Sequence, residues 1–160
     1  MVTTKKKVLL NSLKGNWTQA RITVSFKPGL MKDKSINMLE DAYEIVIGVW
    51  DKELINLQEQ LVAFYLNRVN KLIGHRLIRS GTMTSCLIDV KLLVSLALHT
   101  MATSVIIAHN HPSGTLKPSN QDIELTKKIK QILALIDVQL LDHLIISETG
   151  KLSLFEEGLL

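Results

Sequence analysis

The residues that offer chemistry lie between Ser104 and Asp122, in SVIIAHNHPSGTLKPSNQD. Ser104 to Ala108 is short, apolar and rich in β-branched side chains, the pattern of a buried strand. His109 and His111 stand at its end, two residues apart. Side chains alternate faces along a strand, so the two imidazoles point one way and Asn110 the other. Pro112-Ser113-Gly114 breaks the strand, and a loop runs to Pro118. Ser119-x-x-Asp122 then opens a helical pattern, projecting Asp122 from a first turn. Two neutral nitrogens and a carboxylate from separate elements form the donor set of a zinc site whose fourth position stays open to water.

Each part has a plainer reading. An H-x-H pair alone is weakly specific, and Ser119 with Asp122 forms a capping box whether or not a metal is held. Zinc-bound water has a pKa near 7, so hydroxide becomes available at neutral pH, and a carboxylate outside the ligand set must carry its proton. Glu59, immediately before an apolar strand, is the best-placed candidate; Glu53 and Glu44 are poorer, and a solvated strand entry is the alternative role for Glu59. The Ser119 hydroxyl can donate to a developing oxyanion. His143 reads as a satisfied histidine near a strand start, and His75 and His99 as structural.

The elements that must position these residues follow from periodicity. Gln19 to Lys27 alternates Ile22, Val24 and Phe26 as a half-buried strand closed by Pro28-Gly29. Ser35 can cap a helix to about Trp50, with Met38, Leu39, Ala42, Ile45, Val46 and Val49 on one face. Gln60 to Leu66 and Lys71 to Arg79, separated by Asn67 to Asn70, form an antiparallel hairpin. Asp89 caps a helix from Val90 to about Met101, and the helix after Ser119 runs to about Ile136. His143 to Ser147 and Leu152 to Phe155 read as two last strands around a Glu148-to-Lys151 turn. Hairpins mixed with helical crossovers predict an α/β fold, a mixed sheet between helical layers. Ligands in such sheets collect where strand ends meet helix starts, where His109, His111 and Asp122 fall.

The 160 residues suffice for one domain with a substantial core. Residues 1–52 read as a strand-helix extension packed on it. The lone Cys86 rules out an internal disulfide and a cysteine zinc cluster. It also excludes the zinc nucleoside deaminases, whose signature needs P-C-x-x-C. Two histidines and a carboxylate also make the facial triad of non-haem iron oxygenases, although here helices alternate with strands. No apolar run reaches the roughly 20 residues of a membrane span, and no signal peptide is legible, which gives a cytoplasmic expectation. A net charge of +4 permits nucleic-acid binding without indicating it.

The run HNHPSGTLKPSNQD resembles the signature of the JAMM metalloproteases, also called the MPN+ or JAB domain: H-x-H, ten residues, then D, with a serine three before the aspartate. Within that superfamily, the HNHPSG opening, Gln58-Glu59 before the strand ending Leu66-Asn67, Leu125-Thr126 and Leu141-Asp142-His143 resemble the bacterial RadC family. The resemblance covers about residues 53–160, taken as the RadC-like JAB/MPN+ domain. It implies a cytidine-deaminase-like three-layer α/β/α fold, and zinc held by His109, His111 and Asp122. It also implies Glu59 as catalytic base, Ser119 as oxyanion helper, and hydrolysis of a peptide or isopeptide bond in a protein substrate. RadC proteins have carried a DNA-repair label. The longer ones have an N-terminal helix-hairpin-helix segment, replaced here by the strand and helix before Trp50, so a DNA role resting on it does not transfer. A metal-binding or DNA-associated module without turnover is the alternative from another class. Thr115 stands where the family often has aspartate, and Ser80 to Asp89 is a candidate specificity loop.

Overall fold

The computed structural model describes residues 35–80 and 88–160. The strand expected over 19–27, Cys86 and most of the 80–89 loop lie outside the described residues. Within them the chain order is α1 (Leu39–Val49), β1 (Gln60–Leu66), β2 (Leu72–Ser80), α2 (Val90–Thr100), β3 (Ser104–Asn110), α3 (Asn120–Ala134), β4 (Gln139–Ser147) and β5 (Gly150–Ser153). The strands form one mixed sheet in the order β2-β1-β3-β4-β5. β1 lies antiparallel to both β2 and β3, whereas β3 and β4 are parallel across the α3 crossover. The α/β class and the mixed sheet expected from the pattern are what the chain adopts.

Strand alternation splits the core into two. Val62, Phe64, Leu66, Ile106, Ala108, Leu144 and Ile146 face one way, against Ala42, Ile45 and Val46 of α1. Leu61, Ala63, Tyr65, Val105 and Ile107 face the other, against Leu93 and Ala97 of α2 and Ile129 and Leu133 of α3. With both faces covered, β1 and β3 are buried along their whole lengths, which explains their unbroken apolar runs. Burying a side chain such as Ile107 or Leu133 contributes about 1.5–3 kcal/mol each, so the sheet that carries the site is rigidly held.

Several boundaries differ from the periodic reading. Ser35 does not cap α1: it bridges to Lys71, and the Ile36 N–H donates to the Asn70 carbonyl at 2.9 Å, so this backbone is extended. The helix starts after Met38, where the Asp41 carboxylate accepts the Asn37 and Met38 N–H groups. β4 begins at Gln139, four residues before His143, because Gln139 to Asp142 pair with the start of β3. β5 stops at Ser153, since Asp142 accepts the Ser153 hydroxyl (2.6 Å) and the Phe155 N–H (3.1 Å) and bends the chain away. α3 ends at Ala134, two residues before Ile136, and α2 closes on Met101 in the left-handed conformation.

Candidate metal centre

Alternation along β3 aims His109 at the α3 face and Asn110 at the α1 face. β3 ends at Asn110, but the His111 N–H still donates to the Ile146 carbonyl of β4 at 2.9 Å, which keeps the chain extended one residue further. The two imidazoles therefore do converge: His109 Nε2 lies 2.9 Å from His111 Nε2. α3 delivers the third group. Ser119 caps the helix, accepting the Asp122 N–H at 3.2 Å, while Asp122 Oδ2 accepts the Ser119 N–H at 2.7 Å and its hydroxyl at 2.6 Å. The capping box and the cluster are thus one arrangement, because the box turns the other carboxylate oxygen toward the histidines. Asp122 Oδ1 is 3.3 Å from His109 Nε2, and Oδ2 is 3.7 Å from His111 Nε2.

The donor chemistry fits a cation. His111 Nδ1 faces the Thr115 carbonyl at 2.7 Å, and a carbonyl only accepts, so Nδ1 carries the proton and a neutral His111 presents the Nε2 lone pair. Four tetrahedral ligands at zinc distances are about 3.3 Å apart, close to the spacings found among these three groups. His109, His111 and Asp122 are the one His/Cys/Asp/Glu group among the described residues able to enclose a metal ion. Burial pushes the Asp122 carboxyl up, but His111, His109 and the Ser119 donors outweigh it and hold the group well below the ordinary carboxylate range. His111 is raised by its contact with Asp122, against burial, with Thr115 and the charges of Asp122 and Glu59 adding to the rise.

Glu59 immediately precedes β1, and Leu61 pairs with His109 in the last pair of the antiparallel β1–β3 ladder. The Glu59 charge adds to the rise at His111, so it lies within electrostatic reach of the cluster. Ser119 is close by, yet its hydroxyl proton is committed to Asp122. Glu44 is on α1, on the other side of the sheet, and Glu53 is exposed. His75 stacks on Phe64 and His99 bonds to Ser95, and neither joins the cluster.

Three further residues carry the site and were not assigned to it by pattern. Asn110 is fully buried, and its side chain accepts the Gln60 N–H (2.7 Å) and donates to the Ile55 and Gln58 carbonyls (2.7 and 2.8 Å), gripping the backbone on both sides of Glu59. His143 Nε2 lies 2.7 Å from His109 Nδ1, and His143 Nδ1 lies 2.5 Å from the Thr126 hydroxyl. Burial drives the His143 imidazole well below the histidine range, with His109 and His111 adding to the effect against Asp122, so it is neutral. One signal was available for Thr126. Asp122, Thr126, Ile129 and Leu133 form a buried stripe at helical spacing, and a polar member of such a stripe needs a partner.

The sequence model of a family described as RadC-like JAB domain matches residues 36–159. The chain belongs to the RadC-like JAB domain family. The match takes in α1 as well as the whole sheet and cluster. Curated relatives include a UPF0758 protein of Flavobacterium johnsoniae, 40% identical over 133 residues, covering 81% of this chain and 56% of the relative. Another, from Pelodictyon phaeoclathratiforme, is 36% identical over 128 residues, covering 80% and 56%. The UPF0758 protein NMB1038 of Neisseria meningitidis serogroup B is 43% identical over 102 residues, covering 64% and 45%. The chain thus spans about half the length of these relatives. Membership of the JAB family and the His-His-Asp cluster together are consistent with a metal-dependent hydrolase. No helix among the described residues is long and apolar enough to cross a membrane.

Proposed function

We propose that this chain is a zinc-dependent hydrolase of the JAMM type, cleaving a peptide or isopeptide bond in a protein substrate. The observation that supports it is the convergence of His109 Nε2, His111 Nε2 and Asp122 Oδ1 at a strand-end and helix-start junction, with the Glu59 charge near enough to act on His111. A zinc ion held by these three side chains would supply an acidified water and polarise the scissile carbonyl. Glu59 accepts the proton of the attacking water on its carboxylate and returns it to the leaving nitrogen. Asp122, kept anionic by its histidine and serine neighbours, lowers the charge of the site while remaining fixed by the cap. Ser119 orients Asp122 through its hydroxyl; donating to a substrate oxyanion requires that hydroxyl to turn away from Oδ2.

The test is metal content together with cleavage of a broad peptide and isopeptide library. Purified protein carries about one zinc, and Glu59→Gln keeps the metal while losing turnover by a factor of about 10² or more. Loss of zinc in that variant would instead make Glu59 a ligand. Zinc retained with no cleavage of any library member would favour the second reading, a metal-binding or DNA-associated module without turnover.

A further inference from the structure

We infer that Thr126 and His143 are positioning residues that fix which nitrogen of His109 faces the cation. The inference rests on the metal-centre half of the proposed function and is independent of hydrolysis. The Thr126 hydroxyl is 2.6 Å from the Asp122 carbonyl oxygen and 2.5 Å from His143 Nδ1. It has one proton, and the carbonyl can only accept, so the proton points to Asp122. The hydroxyl oxygen must then accept from His143, which puts the His143 proton on Nδ1. A neutral His143 with Nδ1 protonated has a lone pair on Nε2. His109 Nδ1, 2.7 Å away, must supply the hydrogen of that bond. A neutral His109 is left with its lone pair on Nε2, the atom 2.9 Å from His111 Nε2 and 3.3 Å from Asp122 Oδ1.

The direction of every bond in this chain is set by its first member. The chain is also closed on itself: Thr126 takes its direction from the backbone of Asp122, four residues earlier on α3. The helix that supplies the carboxylate therefore also dictates the tautomer of a histidine on β3, through a histidine on β4. His109, Asn110, Thr126 and His143 are fully or almost fully buried, which keeps water from offering an alternative partner. Histidines that bind metals ordinarily lean on a carboxylate or a backbone carbonyl. Here the support is a neutral imidazole, which orients His109 without adding a negative charge beside the centre.

The experiment uses the full chain with zinc alone, measured by competition with a chromophoric chelator, and ¹⁵N spectra of the histidine rings in metal-free protein. Thr126→Val keeps the shape and removes the hydroxyl, while Thr126→Ser restores it. The expected result is a His109 ring protonated at Nδ1 and bare at Nε2 in the wild type. Thr126→Val weakens zinc binding by about 10–100-fold, and Thr126→Ser stays close to wild type. A folded Thr126→Val that binds zinc as tightly as wild type overturns the inference, as does a metal-free His109 carrying its proton on Nε2. Should the valine variant fail to fold, the wild-type ring spectrum decides alone. Wild-type protein that takes no zinc would sink the proposed metal centre, and the ring spectrum would still decide the tautomer.

Discussion

A buried neutral histidine has a thermodynamic consequence at the scale of the single residue. The folded-state pKa of His143 is depressed, so its contribution to stability is present above its unfolded value of about 6.5 and is lost as the pH falls below that. His111 behaves oppositely: its raised pKa stabilises fully below about 6.5, and that contribution is lost as the pH rises through its folded value. Asp122, depressed, loses its contribution only below about pH 4. Between about pH 6.5 and 4, then, His143 is the one of these three whose folded and unfolded protonation differs. Metal-free protein is expected to lose stability as the pH falls from about 6.5 toward 4, with His75, also lowered by burial, adding to the loss. Urea denaturation at pH 7, 6 and 5 checks this, and a flat profile would mean that His143 is not held neutral.

Among the elements, the segment before β1 is held by a side chain from β3. Asn110 satisfies three backbone groups at Ile55, Gln58 and Gln60 with both ends of its amide. Asn110→Ala leaves those groups buried without partners, at a cost of about 2–4 kcal/mol. Hydrogen exchange should show faster exchange around residues 55–60 while β4 is little changed, and equal rates throughout would remove Asn110 from its gripping role. This residue marks a limit of reading by pattern. Its direction, away from the two histidines, is legible in strand alternation, but its partners lie fifty residues earlier and depend on β1 pairing with β3. The hairpin of β1 and β2, the crossover helix α3 and its cap were all legible, because each is specified by local periodicity and by Ser119 or Asn67-to-Asn70 chemistry. The start of β4 was not, because Gln139 to Asp142 become strand only by pairing with β3.

At the scale of the whole molecule, the site ties three elements of one sheet and its crossover helix together, so a ligand bound there stabilises the fold. Zinc at a hundred times its Kd adds about 2.7 kcal/mol, which for a chain of this size raises Tm by roughly 5–11 °C. Thermal unfolding with and without zinc should show that shift in wild type and no shift in His111→Ala. An equal shift in both would place the bound metal elsewhere. The sequence by itself determined the order of elements after Leu39, the layered α/β class and the meeting of His109, His111 and Asp122. Alternation, helical period and capping are local rules that act within a dozen or so residues, and all three residues of the cluster fall inside such a span. Only the tertiary structure decided that the Glu59 charge acts on His111, that Asn110 grips the chain beside Glu59, and that His143 and Thr126 bond toward His109. Those contacts depend on strand register and on the seating of α3 against β4, which arise from packing two apolar faces at once and leave no spacing in the chain to read.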